Sequence, residues 1–374
     1  MERVKVLRII SRMNIGGPAL QISGLMRGID QDKVNQKLLT GYCKPDEADF
    51  IEIIAPELKV QRINGLGRSI NLVADISALL QIIKIIREFK PNFIHTHTAK
   101  AGVLGRIAGL LANRNAKLIH TYHGHLLTGY FSPIKTKFII LVERILAKFS
   151  FKLICVGSKV RDDLLKVKIG DSSKYVIIGP GIKFGEPPIR NFSRLNFDID
   201  LDDIVIIFLG RITGIKRPDR FCNIVLNLAR RHSKIRILIV GSGDLESSMH
   251  KKLSEIKERV DFLGWRSDVE NILACADILL LTSDNEGTPT SVIQAGMAGV
   301  PTVATNVGSL PEVIENGVTG ILTDPDEDAL AMALESLILN PELRKNLGEN
   351  AKKDMSRRYS ISTMIESYQS LYLD

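Results

Sequence analysis

The stretch EGTPTSVIQAGMAGVP, residues 286–301, sets a carboxylate, small hydroxylated residues and an uncharged amide close together. Glu286 precedes Gly287, Thr288 and Pro289. Threonine favours the N-cap and proline the first helical position, so the spacing predicts a helix from Pro289, stopped near Ala298 by Gly299 and Pro301. Glu286 then lies in the approach loop. The amides around Thr288, Thr290 and Ser291 surround the helix start, and Gln294 falls within the helix. Amides at a helix N-terminus attract anions, phosphate above all. A carboxylate beside them suits hydroxyl groups, so the stretch predicts a ligand carrying both phosphate and hydroxyls.

Other stretches carry related chemistry. LGRITGIKRP sets Arg211 and Lys216 five residues apart after a strand, where a guanidinium fork and an ammonium point charge can clamp a diphosphate. Gly16-Gly17 follows the first strand and precedes a helix beginning near Pro18, which lets backbone approach a phosphate. Neither segment has the G-x-G-x-x-G or G-x-x-x-x-G-K-[ST] pattern, and no acid closes the second strand as a ribose hook. These absences disfavour a dehydrogenase and a P-loop nucleotidase. VGSGDLE, 240–246, reads as a structural glycine turn. In FLGWRSD, Arg266 is a candidate for the edge of a nucleobase pocket, and Trp265 is expected in the core. Histidines 95, 97, 120, 123 and 125 cluster in HTH and HGH segments without accompanying acids, so no metal site is predicted. His123, where its strand should end, is the candidate sugar-contacting imidazole; His95 and His120 are expected to be buried.

The elements that must hold these residues are strands alternating with helices. RVKVLRII, LLTGYC, KVQRI, NFIHTHT, KLIHTYHG, KLICVGS and YVIIGPG read as strands in the first half, with helices over 71–89, 100–112 and 134–149 between several of them. After the Gly/Pro-rich GPGIKFGEPPIRNFS the alternation restarts with IVIIFLGR and continues through IRILIVGSG, VDFLGW, ADILLLTS, PTVAT and TGILTD. The pattern predicts an α/β chain of two doubly wound, Rossmann-like domains with parallel sheets, 1–182 and 183–357. Ligands are expected at the carboxyl ends of the strands, facing each other across a cleft.

The chain has 374 residues, which suits two domains. Its N-terminus, MERVKVLRII, has charges threaded through it and predicts no secretory leader. The four cysteines are far apart, which argues against a zinc site or disulfide framework and for a reducing cytoplasm. The net charge of +8 conceals a split: residues 1–190 carry 30 Lys and Arg against 15 Asp and Glu, the remainder 20 against 27. A basic first half predicts an anionic partner. The segment SPIKTKFIILVERILAKFSFK, 132–152, is part of it, with Phe138, Ile139, Val142, Ile145, Leu146 and Phe149 on an apolar face among lysines and Arg144. That face can pack on the core or lie on an acidic membrane. No recognised nucleic-acid module is present, so no nucleic-acid partner is expected.

Taken in order, five landmarks give a resemblance: MNIGGPALQ, HTHTAKAGVLGRIAG, TYHGH, LGRITGIKRPDRF, and SDNEGTPTSVIQAGMAGVPTVATNVGSLPEVIENGVTGIL. Over essentially its whole length the chain resembles family-4 glycosyltransferases of the GT-B fold. The resemblance implies retaining transfer of a sugar, from a UDP-sugar or alternatively a GDP-sugar, to an acceptor hydroxyl, with no metal and no cofactor. By matching position, Gly16 and Gly17 would approach the donor phosphate, and Arg211 and Lys216 would neutralise the leaving diphosphate. The amides of Gly287, Thr288, Thr290 and Ser291 would hold phosphate and sugar, Glu286 would contact the sugar's hydroxyls, and His123 would sit near the reacting sugar. A C-terminal helix of about 358–374 would pack back on the first domain. The family's second glutamate falls at Gln294, which can still bond a ribose hydroxyl through its carbonyl, though less strongly than a carboxylate. The resemblance further implies bacterial surface-polysaccharide synthesis, such as O-antigen or capsule. It also implies a glycan acceptor linked to polyprenyl diphosphate and a peripheral place on the cytoplasmic face of an acidic inner membrane. Two alternatives are a non-catalytic GT-B subunit of an assembly complex, for which Gln294 speaks, and a UDP-sugar 2-epimerase, against which the 286–301 pattern speaks.

Overall fold

The computed structural model describes residues 2–45, 47–67, 69, 71–124 and 133–374. His125 and Ser132 therefore lie outside the described residues. The chain divides into two compact units, one of residues 1–181 with 361–374 and one of residues 182–360.

In the first unit, β-branched runs form seven strands: β1 (Val4–Ile10), β2 (Val34–Thr40), β3 (Val60–Arg62), β4 (Phe93–His97), β5 (Lys117–Tyr122), β6 (Lys152–Cys155) and β7 (Tyr175–Ile177). They pair in parallel in the order β3-β2-β1-β4-β5-β6-β7. Parallel strands are covered on both faces, and β4 is accordingly buried at every position. β2 begins earlier than the LLTGYC run expected from hydrophobicity, because Asn35, Gln36 and Lys37 join the ladder with β1. Gln36 earns its place there by accepting from the buried Arg8 Nε at 3.0 Å.

The strand order has a physical consequence. The connection from β1 to β2 runs one way across the sheet, and those from β3 through β6 run the other way. With right-handed crossovers, the Gly17–Gly28 helix lies on one face and the Leu72–Phe89, Ala99–Ala112 and Pro133–Phe149 helices on the opposite face. The Ile361–Leu373 helix packs beside Gly17–Gly28, with Ile361 and Ile365 seated against Gly24 and Gly28. Its Tyr368 and Tyr372 are fully enclosed in the first unit's core.

The second unit repeats the plan with β8 (Ile204–Leu209), β9 (Ile235–Val240), β10 (Val260–Gly264), β11 (Ile278–Leu281), β12 (Thr302–Thr305) and β13 (Gly320–Thr323). These are parallel in the order β10-β9-β8-β11-β12-β13. Each sheet thus has a switch point, β1/β4 in the first unit and β8/β11 in the second, where adjacent crossovers leave to opposite faces, the place at which sheets of this kind bind ligands.

Candidate active site

In the second unit, the loops after β8 and β11 meet at the switch point. Three bonds zip them together: Asp284 N to Ile215 O at 2.9 Å, and Thr282 Oγ1 to Lys216 O and to Arg217 O, each at 3.0 Å. This closure brings Lys216 Nζ into an ion pair with Glu286 Oε1, although the residues are 70 positions apart. Ser283 Oγ donates to the same carboxylate oxygen at 2.6 Å. Glu286 is buried, and the turn beyond β12 fixes its backbone: Ser309 N donates to Glu286 O at 3.0 Å. Gly308, at φ +57°, permits that approach, since a Cβ there would lie 2.0 Å from Glu286 O.

Four cations follow β8, and the structure sorts them. Lys216 is committed to Glu286, Arg217 to Asp219 and Asp284, and Arg220 to Asp284 at 3.1 Å. Arg211 is exposed and has no carboxylate partner among the described residues. Its loop is set by the VGSG turn: Gly241 lies at φ +128°, and a Cβ there would fall 1.9 Å from Gly210 O. The glycine turn is structural, as expected from sequence, but what it shapes is the Arg211 loop.

The helix following Glu286 spans Thr290–Met297, one residue later than expected, because Pro289 takes an extended conformation and serves as the N-cap. Gly299, at φ +79°, follows its end. The first-turn amides, those of Thr290, Ser291 and Val292, have no acceptor within the helix by its geometry. Gly287 and Thr288 are half-buried before it, Ser291 is buried, and Gln294 is half-buried. Arg266 is bound through Nε and Nη2 to Asp268, at 2.8 Å each, which leaves its Nη1 outside that pair. Trp265, expected in the core, is 40% exposed; it follows Gly264, where β10 ends.

In the first unit the corresponding loops are those after β1 and β4. Ser11 N donates to Thr98 Oγ1 at 3.2 Å and Ala101 N to Ser11 Oγ at 3.1 Å, which ties the β1 loop to the start of the Ala99–Ala112 helix after β4. Gly16 caps the Gly17–Gly28 helix with nothing within 4 Å of a Cβ built on it, so backbone borders open space there. At the ends of β4 and β5, His97 Nδ1 and His123 Nε2 are 3.0 Å apart. His97 stacks on His95 at 4.2 Å between ring centroids, as expected for alternate residues of a strand.

These imidazoles are held neutral. Arg8 donates to His95 Nδ1 at 3.2 Å, so that nitrogen is an acceptor and Nε2–H donates to Thr121 Oγ1 at 2.7 Å. Thr96 Oγ1 donates to Ile119 O and therefore accepts from His120 Nδ1–H at 2.8 Å. Burial pushes His95, His97 and His120 well below the usual imidazole range, reinforced by Arg8 at His95 and by Arg106 at His120. His123 is pushed down to about 4 by burial. Sequence reasoning singled out His123 but passed over His97, whose Nε2 is buried without a partner. The alternation in HTH was the available signal. Among the described residues no group of three or more His, Cys, Asp or Glu could hold a metal ion.

The second unit's switch point thus offers a guanidinium with no carboxylate partner among the described residues, an ammonium–carboxylate pair and helix-start amides, and the first unit's strand ends offer a neutral imidazole. Two family models match in tandem: Glycosyltransferase Family 4 over residues 15–184 and Glycosyl transferases group 1 over residues 190–354. The chain belongs to the family-4 glycosyltransferases. Among relatives of this glycosyltransferase is the UDP-Gal:alpha-D-GlcNAc-diphosphoundecaprenol alpha-1,3-galactosyltransferase of Escherichia coli, 26% identical over 83% of this chain and 82% of the relative. The capsular polysaccharide biosynthesis glycosyltransferase CapM of Staphylococcus aureus is 23% identical over 87% of this chain and 88% of its own. The fold is GT-B. Anabaena HepE in complex with UDP superposes with a TM-score of 0.83 at 20% identity, covering 98% of this chain and 99% of HepE.

Proposed function

We propose that this glycosyltransferase is a retaining, metal-independent enzyme. It moves a hexose or N-acetylhexosamine from a UDP-sugar to a hydroxyl of a lipid-linked glycan in bacterial surface-polysaccharide synthesis. Arg211 carries the reading: of the four cations after β8 it alone lacks a carboxylate among the described residues, beside the Lys216–Glu286 pair. The relatives support the substrate classes, since the E. coli protein is named for UDP-Gal and a diphosphoundecaprenol acceptor and the S. aureus protein for capsule.

In this reading Arg211 and Lys216 neutralise the diphosphate as the bond from the sugar's C1 to the β-phosphate oxygen breaks. The first-turn amides around Thr290 and Ser291, with Gly287 and Thr288, receive phosphate and sugar, and Gly16-Gly17 lets backbone reach the donor phosphate. Glu286, oriented by Ser283 and Lys216, accepts from the sugar's hydroxyls. Gln294 bonds the ribose, and Arg266 edges the base through the side of its fork that Asp268 leaves open. His123 offers a neutral imidazole near the reacting carbon. The acceptor oxygen bonds to C1 on the face the diphosphate leaves, and its proton passes to the departing phosphate oxygen. Fixed cations and donors aimed at the leaving group stabilise that transition state.

Calorimetric titration of the protein with UDP, GDP and ADP tests the reading. UDP is expected to bind selectively, and Arg211→Ala to weaken it by about 30-fold, the worth of one charge-assisted phosphate contact. Selective GDP binding would move the donor to a GDP-sugar. Binding of none would favour a non-catalytic subunit, the reading to which Gln294 points.

A further inference from the structure

His97 is the last residue of β4, at the first unit's switch point, and the mechanism above gives it no part. Its ring is fully buried. The residue after it, Thr98, lies at φ +66° and ψ 156°, a region that glycine occupies and a β-branched residue avoids. Ser11 holds it there. Thr98 Oγ1 donates to Ser11 Oγ at 2.8 Å and accepts from Ser11 N, while Ala101 N donates to the same Ser11 Oγ. Such strain persists only where the surrounding contacts over-determine it. Here it turns the chain out of the ladder directly after His97, which is still in register with Ile10 and Thr121.

The neighbouring rings leave His97 one proton to place. His95 stacks on it face to face and has both nitrogens committed, Nδ1 to Arg8 and Nε2 to Thr121. His120 Nδ1 is committed to Thr96. His97 Nδ1 meets His123 Nε2 at 3.0 Å, so one of these two nitrogens carries the hydrogen. The other nitrogen of His97 decides which. Its Nε2 is buried and has no partner among the described residues. Protonated, it would be an N–H donor buried without an acceptor, which folded proteins rarely tolerate; bare, it leaves only a lone pair unused. His97 is therefore the Nδ1–H tautomer and donates to His123 Nε2. A neutral His123 then carries its own proton on Nδ1. Among the described residues nothing accepts from that Nδ1–H, and the half-buried ring leaves it to a ligand.

We propose that His97 is a positioning residue that fixes His123 in its Nδ1–H tautomer, so that His123 meets the substrate as a hydrogen-bond donor and never as a base. The inference rests on the reading that puts His123 beside the reacting sugar. An Nδ1–H suits an oxygen of that sugar. With its one lone pair held by His97, His123 has no place for the acceptor's proton, which accords with passage of that proton to the departing phosphate oxygen.

NMR of the full chain labelled with nitrogen-15 histidine tests the tautomers, because protonated and bare imidazole nitrogens differ sharply in shift. Among the seven histidines, His123 and His97 are assigned by the signals lost in His123→Gln and His97→Asn. In the wild type both are expected as Nδ1–H tautomers. In His97→Leu, His123 should revert to Nε2–H, the form histidine favours in free solution. In His97→Asn, whose amide N–H sits where the ring Nδ1–H was, His123 should keep its proton on Nδ1.

Calorimetry with UDP, UDP-galactose and UDP-glucose supplies the second readout. His97→Leu should weaken whichever sugar nucleotide the wild type prefers by about tenfold, leave UDP affinity unmoved, and be largely rescued in His97→Asn. A ring that merely filled the core would shift UDP and sugar nucleotide together. An Nε2–H tautomer of His123 in the wild type would overturn the proposal, whether or not the variants fold. So would an Nδ1–H tautomer that survives His97→Leu, or equal losses of sugar-nucleotide affinity in His97→Leu and His97→Asn. Sugar nucleotides bound no more tightly than UDP, with the tautomers as expected, would strike the contact between His123 and the sugar and leave the pairing of the two histidines standing.

Discussion

The two units place their candidate groups at equivalent positions, the strand ends flanking a switch point, and fill them with opposite chemistry. The first unit gathers imidazoles that burial and neighbouring guanidinium groups keep neutral. The second gathers charges, pairs all but one of the cations after β8, and leaves Arg211 exposed. A neutral imidazole offers one donor and one acceptor and adds no charge beside a polar sugar. A free guanidinium beside a paired ammonium is suited to a diphosphate. The lesson is a division of labour set by desolvation: one unit keeps the imidazoles at the ends of β4 and β5 uncharged, and the other balances its charges and keeps one cation in reserve.

The largest effect that could break this comparison is acid sensitivity confined to the first unit. His95, His97, His120 and His123 all have lowered pKa values in the fold, whereas an unfolded histidine titrates near 6.5. As pH falls below about 6.5 the unfolded chain takes up protons that the folded unit refuses, so stability drops, for His123 until about 4. Four such groups lose together up to about 5 kcal/mol per pH unit. Denaturation at pH 7.5 and 5.5 checks this with two probes, far-ultraviolet circular dichroism for the whole chain and fluorescence of Trp265, the single tryptophan, for the second unit. At pH 5.5 part of the dichroism should be lost before the Trp265 transition. A single transition unmoved by pH would contradict the neutral-imidazole half of the comparison.

Next in size is the Lys216–Glu286 pair. Lys216→Met strands a buried carboxylate and should cost about 3 kcal/mol, while Lys216→Met/Glu286→Gln should recover most of it, read by denaturant midpoints. Equal losses in both would mean that the pair is not what holds the two loops. Arg211→Ala should do the reverse, costing about 2 kcal/mol of nucleotide affinity with no change in stability. The smallest effect is expected at Gln294→Glu. A carboxylate there should bind ribose at least as tightly, by about 1 kcal/mol, and a clear loss of UDP affinity in calorimetry would remove Gln294 from the ribose.

Much of the fold was legible in particular residues. Runs such as Ile204–Leu209 and Ile278–Leu281 are apolar throughout, as strands buried on both faces must be, and their alternation with helices announced two parallel sheets. β2 was misplaced because Asn35, Gln36 and Lys37 hide it from a hydrophobicity reading. Trp265 was misplaced because aromatic character indicates burial only on average; this one follows the last residue of the edge strand β10. At the site, Glu286, Arg211 and Lys216 stood out by type and spacing, but nothing local indicated that Lys216 and Glu286 would pair or that Ser283 and Gly308 would brace the carboxylate.

The sequence by itself determined the class of fold and the family, because hydrophobic period and the order of short motifs are local properties carried along the chain. Tertiary structure alone decided which of the four cations after β8 stays unpaired, which tautomers His95 and His120 hold, and which side of the Pro133–Phe149 helix faces water. Each of those depends on partners brought from distant positions and on how far water is excluded, neither of which is written in any single segment.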